Sequence, residues 1–242
     1  MEYRKAALFD LYDTLTYVDK HRYQAKLMTC ASMCKVDPDE FARAWKSLVV
    51  QSNLGEYPAT ADRARDVMRI MGVPEDTSVA EAIADCEHEF LRSGIHLFDD
   101  VISTLNFLRR LGFKLGLVTN ASPSVRIVIE THKLGEYMDC TAISSEIGHR
   151  KPDPMIYKTA LKQLDVSAEN SMFIGDGNDR ELDGAHELGI KTVLVNRGLP
   201  KHVKMEDSSL SSIDFTIRSL GELIDLIKGS GEKNGEPLPS AT

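Results

Sequence analysis

Lys5-Ala-Ala-Leu-Phe-Asp10-Leu-Tyr12-Asp13-Thr14-Leu-Thr16 is the stretch from which the organisation of the whole chain can be worked out. A short apolar run from Ala6 to Phe9 predicts a buried β-strand. Asp10 follows that run directly, so its carboxyl group stands where the strand ends. Ligands of open α/β sheets bind beyond the carboxyl ends of the strands. Asp10 is therefore the first candidate for a functional side chain.

The residues after Leu15 change to a helical periodicity that lasts from Asp19 to Ser93. Amphipathic segments fill this region, and none of them shows the alternation of a strand. Asp37-Pro38-Asp39-Glu40 is a helix-start signal, and Ser78 with Glu81 is another. The sequence predicts an all-helical insert over residues 17–96.

Apolar strand segments and amphipathic helical segments alternate after Ile95. Such alternation is typical of a parallel sheet with helices on both faces. We therefore predict an α/β fold, a Rossmann-like doubly wound parallel sheet built from residues 1–16 and 97–228. Residues 229–242 are rich in Gly, Ser, Glu, Lys and Pro, which predicts a disordered tail.

Composition and charge argue against several classes of partner. The chain of 242 residues has a formal net charge of -8, which disfavours nucleic acid or an anionic membrane as its main partner. No apolar run approaches the ~20 residues that cross a bilayer. The N-terminal residues lead straight into the first strand, where no signal peptide fits. The four cysteines lack the spacing of a zinc site, and we expect a cytoplasmic protein.

Polar residues stand at the ends of four predicted strands or in the loops beyond them: Asp10, Thr119-Asn120, Lys151 before Pro152, and Asp176 between two glycines. Each alone is commonly a cap or a turn residue. Their order and spacing together resemble the four motifs of the haloacid dehalogenase (HAD) superfamily. The resemblance covers residues 1 to about 228. It implies that the helical insert is the cap domain of that superfamily, which closes over the site.

The resemblance implies a nucleophilic mechanism. Asp10 would attack phosphorus to form an aspartyl-phosphate, and Lys151 would place a positive charge on the phosphoryl oxygens. Thr119 would hold the phosphoryl group through its hydroxyl and nearby N–H groups. The remaining motif positions expected to contact the substrate are Asn120, Thr14 and Asn178.

The resemblance also implies a metal. Mg²⁺ would be bound by Asp10, by the backbone carbonyl of Tyr12 and by Asp176, because this hard cation prefers oxygen ligands. Glu181 matches a second acidic position of the motif, where it would bind the metal through water or orient Asp176. The plainer interpretation of Glu181 is an acid that stabilises a helix N-terminus.

Tyr12 departs from the phosphatase pattern, because most phosphatases of the superfamily carry a second Asp there as a general acid and base. A tyrosine with an ordinary pKa of ~10 is a poor substitute at neutral pH. One hypothesis is a phosphohydrolase for small phosphorylated metabolites whose leaving group needs little protonation, such as acyl phosphates. In it Tyr12 remains part of the catalytic set with Asp10 and Lys151.

A second hypothesis is a metal-independent 2-haloacid dehalogenase, in which Asp10 displaces halide. Tyr157, Asn178 and the possible halide-binding Arg43 match that branch, which carries Asp-x-Tyr in its first motif. Asp176 argues for the phosphohydrolase, because dehalogenases have Ser there and clustered carboxylates need a cation.

A third hypothesis is a weakly active HAD fold with a binding or regulatory role. Tyr17, Tyr57 and Arg43 are candidates to line the closed site. The sequence favours no particular oligomeric state.

Overall fold

The structure is a computed structural model and describes residues 5–198 and 211–233, with side chains up to residue 229. The first four residues of the predicted segment 1–16 lie outside the described residues, as do residues 199–210 of the predicted core and residues 234–242 of the predicted tail. In chain order the elements are β1 (Lys5–Phe9), β2 (Thr16–Val18), α1 (Lys20–Cys34), α2 (Pro38–Ser47), α3 (Val49–Asn53), α4 (Thr60–Ile70), α5 (Thr77–Ser93), β3 (Ile95–Leu97), α6 (Val101–Arg110), β4 (Phe113–Thr119), α7 (Val125–Thr131), β5 (Cys140–Ile143), α8 (Ser144–Ile147), α9 (Pro154–Leu164), β6 (Ser171–Gly175), α10 (Glu181–His186), β7 (Lys191–Val195), β8 (Phe215–Ile217) and α11 (Leu220–Lys233).

The predicted fold class is confirmed by a six-stranded parallel sheet in the described chain, with the order β5-β4-β1-β6-β7-β8. Strand β1 is central, with Phe9 opposite Leu117 of β4 and opposite Ile174 of β6. The residues that follow β1, β4 and β6 therefore meet at one edge. The chain order reverses direction beside β1, which is where an α/β sheet opens a crevice for ligands.

Both faces of the sheet are covered by helices. One apolar cluster joins the sheet to α6, α7 and α11, and a second joins the opposite face to α9 and α10. The strand residues point alternately into the two clusters, as a period of two requires. Phe9 belongs to the first cluster and Leu8 to the second, and both are fully buried.

The helical insert has an apolar core of its own, built around Phe41, Trp45, Met68 and Ile83. Asp37 begins α2 as predicted, because its carboxylate accepts the N–H of Asp39 at 2.9 Å. The helix that we predicted to start at Ser78 is capped instead by Asp76 and begins one residue earlier. None of the helices in the described ranges combines the length and apolar composition that a membrane crossing needs.

The insert is not helical at its two junctions with the sheet. Strands β2 and β3 pair antiparallel, with Tyr17 opposite His96, and form a two-stranded ribbon. Each strand has three residues, too few for a recognisable alternation. The predicted limits of the insert, 17 and 96, fall within this ribbon, and the division of the chain there stays a prediction.

The closing helix continues beyond the predicted start of the tail. Helix α11 runs to Lys233 and packs against α6, so residues 229–233 are helical and not disordered. Gly229 is a weak helix former, and the composition of residues 229–242 predicted that the helix ends there. The apolar contacts of Leu220 and Leu223 with the core outweigh that local preference.

Candidate active site

Asp10 is held at the centre of the sheet edge. Its N–H donates to the carbonyl of Ile174 at 2.9 Å, which continues the pairing of β1 with β6 by one residue. The residue is 6% exposed, and its side chain faces the space beyond the strand ends. A carboxylate so placed is accessible to a ligand in the crevice and shielded from bulk water.

Lys151 is the cation of the site. Its Nζ lies 2.5 Å from Asp10 Oδ1 and 2.5 Å from Glu181 Oε2, and the residue is 2% exposed. Burial alone would lower the pKa of the Lys151 amine, but the two carboxylates outweigh it and raise that pKa. Lys151 therefore stays charged where it touches Asp10.

Asn120 positions Lys151 through the backbone. Its side-chain oxygen accepts the N–H of Lys151 at 2.7 Å, and its amide nitrogen donates to the carbonyl of Lys151 at 3.1 Å and to Asp179 at 2.7 Å. These bonds occupy the amide that the sequence predicted to bind substrate. Asn120 therefore links the carboxyl end of β4 to the loop that carries Lys151.

Three carboxylates form a cluster that could hold a cation. One ligand atom each of Asp10, Asp176 and Glu181 lies within 4.8 Å of the others. Burial, and then the charge of Asp10, raise the pKa of Asp176 to about 6. The pKa of Glu181 is raised too, chiefly by burial, although Lys151 opposes the rise. One lysine faces three acids, a donor set that fits a hard divalent cation.

Glu181 has a second role that the sequence did not predict. It is the first residue of α10, yet it is 1% exposed, so it is not an acid on a solvated helix end. Its Oε1 accepts the N–H of Gly177 at 3.0 Å, while Oε2 binds Lys151. A Cβ at Gly175 would lie 2.0 Å from that Oε1, so only glycine leaves room for this carboxylate.

Two threonine hydroxyls are buried beside the strand ends. Thr119 ends β4 and is 1% exposed, and Thr14 is fully buried in the loop after Asp10. Neither Oγ1 has a hydrogen-bond partner in the described protein. Buried hydroxyls normally have partners, so these two suit the oxygens of a bound ligand.

Asn178 and Tyr157 each donate hydrogen bonds to an acidic residue of the site. The side-chain amide of Asn178 donates to Asp176, whose carboxylate also accepts the Asn178 N–H at 3.1 Å. Tyr157 is fully buried, packs edge-on against Phe173 and donates to the backbone carbonyl of Glu181 at 2.7 Å. This position of Tyr157 supports the core interpretation of its helix face and removes a reason for the dehalogenase hypothesis.

Tyr12 lies two residues after Asp10 and packs against the first apolar cluster. Burial raises the pKa of its phenol, and the carboxylates of Glu87, on α5, and Asp10 raise it further. The phenol therefore stays protonated at neutral pH and is a weaker acid than an ordinary tyrosine. Tyr12 therefore cannot act as the general acid and base that the carboxylate at this position provides in most phosphatases.

The insert contributes residues that the sequence analysis missed. Arg63 and Glu87 line a cavity between the insert and the loop after β4, together with Tyr57, one of the predicted candidates. Arg43 is exposed on α2 and Tyr17 is 38% exposed. The sequence places Arg63 on the apolar face of α4, four residues before Val67, but carries no signal that it is buried.

Comparison with known proteins agrees with this geometry. The sequence profile of a family described as haloacid dehalogenase-like hydrolase matches residues 55–195. A glyceraldehyde 3-phosphate phosphatase of Methanopyrus kandleri is 32% identical over 230 residues, which cover 93% of this chain and 97% of the relative. Another protein of that name, from Methanocaldococcus jannaschii, is 28% identical over 232 residues, which cover 93% of this chain and 97% of the relative.

A solved structure shares the fold. The 2-haloacid dehalogenase of Pseudomonas syringae pv. Tomato DC3000 has a TM-score of 0.68 and 22% identity, covering 94% of this chain and 99% of that one. The matched family is one of hydrolases, and the sheet of this chain carries an acid–lysine cluster at its edge. The chain belongs to the haloacid dehalogenase-like hydrolases, the family that its four strand-end motifs resemble.

Proposed function

We propose that this protein is a Mg²⁺-dependent phosphohydrolase that acts on a small phosphorylated metabolite through an aspartyl-phosphate on Asp10. The observation that carries the proposal is the position of Asp176, which brings a third carboxylate to Asp10 and Glu181. Three buried acids against one lysine leave a negative excess, which adds to the effect of burial in raising the pKa of Asp176 and which a bound divalent cation would offset. A dianionic phosphate would enter such a site together with that cation.

The residues present divide the work of the reaction. A carboxylate oxygen of Asp10 attacks phosphorus, and the bond to the leaving oxygen breaks as the aspartyl–phosphorus bond forms. Lys151 offsets the charge on Asp10 and on the phosphoryl oxygens, and Thr14 and Thr119 offer their buried hydroxyls to those oxygens. Water then attacks the aspartyl-phosphate, which releases inorganic phosphate and restores Asp10.

Mg²⁺ would be held by Asp10, the Tyr12 carbonyl and Asp176, with Glu181 behind them. Bound there, it would supply Lewis-acid stabilisation of charge on the phosphoryl oxygens. Asn178 keeps the Asp176 carboxylate oriented. The donor set is made entirely of oxygens, which suits Mg²⁺ better than a softer metal.

Tyr12 shapes the choice of substrate. The leaving oxygen receives no proton from a carboxylic acid at this position, and general acid help is worth roughly 10²–10⁴-fold. We therefore propose a substrate whose leaving group needs little protonation. The relatives from Methanopyrus and Methanocaldococcus are named glyceraldehyde 3-phosphate phosphatases. That name is of an alkyl phosphate, so it supports the small size of the substrate and not the choice of leaving group.

The proposal is tested with a panel of alkyl, aryl and acyl phosphates and 2-chloropropionate, assayed with Mg²⁺ and with EDTA. We expect Mg²⁺-dependent release of phosphate, strongest for acyl and aryl phosphates. Turnover of 2-chloropropionate that resists EDTA would favour the dehalogenase, which the Asp-x-Tyr sequence at Asp10 supports. No turnover of any of them would favour a binding or regulatory role. We further propose a cytoplasmic location, supported by four free cysteine thiols.

A further inference from the structure

One arginine at the sheet edge contacts both junctions of the helical insert. Arg197 follows β7 by two residues, and its side chain is 8% exposed. Its guanidinium donates to the backbone carbonyl of Thr14, from Nε at 3.1 Å and from one terminal nitrogen at 2.9 Å. The carboxylate of Asp100 accepts from both terminal nitrogens, at 3.1 and 3.0 Å. Thr14 stands two residues before β2 and Asp100 three residues after β3, so one side chain ties the entry and the exit of the insert to the end of β7.

The orientation of the Arg197 guanidinium is fixed by its neighbours. Its central carbon lies 3.7 Å from the centre of the Phe98 ring, a stacking contact that suits a planar cation. Asp100 is held in turn, because its Oδ2 also accepts the N–H of Leu220 at 2.7 Å, where α11 begins. With the ring on its face and a fixed carboxylate at its edge, the guanidinium presents its remaining donors to Thr14 in a set direction.

The loop that follows the nucleophile depends on this contact from outside. The base of the loop is closed by its own backbone, because the N–H groups of Leu15 and Thr16 both donate to the Leu11 carbonyl at 2.9 Å. Thr14 lies inside the turn that these bonds close. In the part of the chain that the structure describes, both hydrogen bonds to the Thr14 carbonyl come from Arg197. Arg197 therefore holds the middle of the loop, which the bonds at its base leave free to shift.

The Thr14 side chain makes the position of this backbone matter. Its hydroxyl is fully buried and has no hydrogen-bond partner in the described protein, so the backbone alone sets where it points. Stability by itself is a poor explanation for the Arg197–Asp100 pair, since buried ion pairs can often be replaced by apolar residues without loss. A pair that instead fixes a hydroxyl reserved for a ligand has a reason to stand at this loop.

We propose that Arg197 is a positioning residue of the phosphohydrolase: by holding the Thr14 carbonyl, it fixes the Thr14 hydroxyl against the phosphoryl group that Asp10 attacks. This inference rests on the proposed function and adds a residue to it. Arg197 touches neither the substrate nor the reacting atoms in this account, because its bonds go to Thr14 and Asp100.

The test is a double-mutant cycle on the hydrolysis of p-nitrophenyl phosphate with Mg²⁺. Arg197→Met should lower kcat about 10- to 100-fold, the range for a misplaced group at a reacting centre. Thr14→Val removes the hydroxyl in an isosteric side chain and should lower kcat similarly. In the Thr14→Val background Arg197→Met should cost less than about a further threefold, because no hydroxyl remains to be positioned. An arginine that only stabilises the fold would lower the unfolding midpoint and leave kcat of the folded enzyme unchanged.

Arg109→Met is the matched control, because the Arg109 guanidinium also donates to a backbone carbonyl, that of Glu136 at 2.6 Å, but at the surface. Arg109 stands shortly before β4 begins, at the opposite edge of the sheet, so its loss should leave kcat unchanged in both backgrounds. Arg197→Lys keeps the charge without the paired donors and should still lower kcat about threefold or more. It replaces Arg197→Met in the cycle if that variant does not fold.

Three results would overturn the positioning role of Arg197. They are an unchanged kcat when Arg197 is replaced, an equal fall in the wild-type and Thr14→Val backgrounds, and a wild-type kcat in Thr14→Val itself. Failure of the wild type to hydrolyse p-nitrophenyl phosphate with Mg²⁺ would instead overturn the phosphohydrolase function.

Discussion

Lys151 Nζ lies 2.5 Å from Asp10 Oδ1, although 141 residues separate the two in sequence. The parallel pairing of β1 with β4 and β6 brings them together, because it places the ends of these strands at one edge. The pair is almost completely buried, and Glu181 Oε2 also lies 2.5 Å from the ammonium group. A cation fixed in contact with a buried carboxylate offsets part of the cost of removing that charge from water.

Asp10→Asn should abolish turnover of every substrate while the fold remains. The amide is nearly isosteric with the carboxylate, but it is not a nucleophile toward phosphorus. Phosphate release would be measured together with circular dichroism and thermal unfolding. Asp39→Asn changes an exposed acid of α2 and serves as the control. Activity that survives in Asp10→Asn would show that Asp10 is not the nucleophile.

Removal of Mg²⁺ should abolish phosphatase activity, and its return should restore it. The reason is the cluster of Asp10, Asp176 and Glu181, in which one lysine cannot balance three acids. Isothermal titration would measure Mg²⁺ binding directly, and Asp176→Asn should weaken that binding. Activity that resists EDTA, together with no detectable Mg²⁺ binding, would move the assignment to the dehalogenase.

Gly175→Ala should damage the site without touching a catalytic residue. The added Cβ would lie 2.0 Å from Glu181 Oε1, so Glu181 must move and Lys151 loses one of its two carboxylate partners. Overpacking of this kind costs about 1–3 kcal/mol in the free energy of unfolding. We expect that loss in urea titrations, together with a lower kcat.

Gly135→Ala is the control for this change, because a Cβ at Gly135 meets no atom within 4 Å. It should leave both stability and kcat unchanged. Wild-type rates and stability in Gly175→Ala would contradict the view that Glu181 depends on the space above this glycine.

Tyr157→Phe separates a structural tyrosine from a catalytic one. The change removes a buried hydrogen bond from the Tyr157 hydroxyl to the Glu181 carbonyl, at a cost of about 0.5–1.5 kcal/mol. We expect a lower unfolding midpoint with kcat within a few-fold of the wild type. A loss of activity without a loss of stability would return Tyr157 to the reacting groups, as the dehalogenase hypothesis has it.

The sheet, its helices and the strand-end acids could be predicted because each leaves a local signal. Asp10, Asp176 and Lys151 follow apolar runs or precede Pro152, and the sheet topology then brings them together. The role of Asn120 could not be predicted, since its bonds run to a backbone 31 residues away.

The burial of Arg63 and the pairing of β2 with β3 could not be predicted for the same reason. Whether an arginine on an apolar helix face is buried depends on the neighbouring helices, here through Trp45 and Ser52. The pairing of β2 with β3 depends on the insert bringing its two ends together. Contacts between distant segments decide these features, and sequence periodicity carries no record of them.

Tyr12→Asp tests what the tyrosine costs the enzyme. The change restores a carboxylate two residues after Asp10, where the phosphatases of the superfamily have their acid. Turnover of alkyl phosphates should rise by up to ~10²-fold if the carboxyl group reaches the leaving oxygen. Aryl phosphates should gain much less, because their leaving group barely needs a proton. Rates on an alkyl phosphate, an aryl phosphate and 2-chloropropionate would be measured side by side.

Tyr12→Asn is the matched control, because it removes the same phenol and introduces no acid. If Asp and Asn raise the alkyl phosphate rate equally, the gain comes from space and not from proton transfer. A dehalogenase would behave differently, since halide leaves without a proton and Tyr12 would only shape its pocket. There the substitution should slow dehalogenation and create little phosphatase. Equal and unchanged rates on both esters would contradict the account in which the Tyr12 phenol, its pKa raised by burial, Glu87 and Asp10, limits the choice of leaving group.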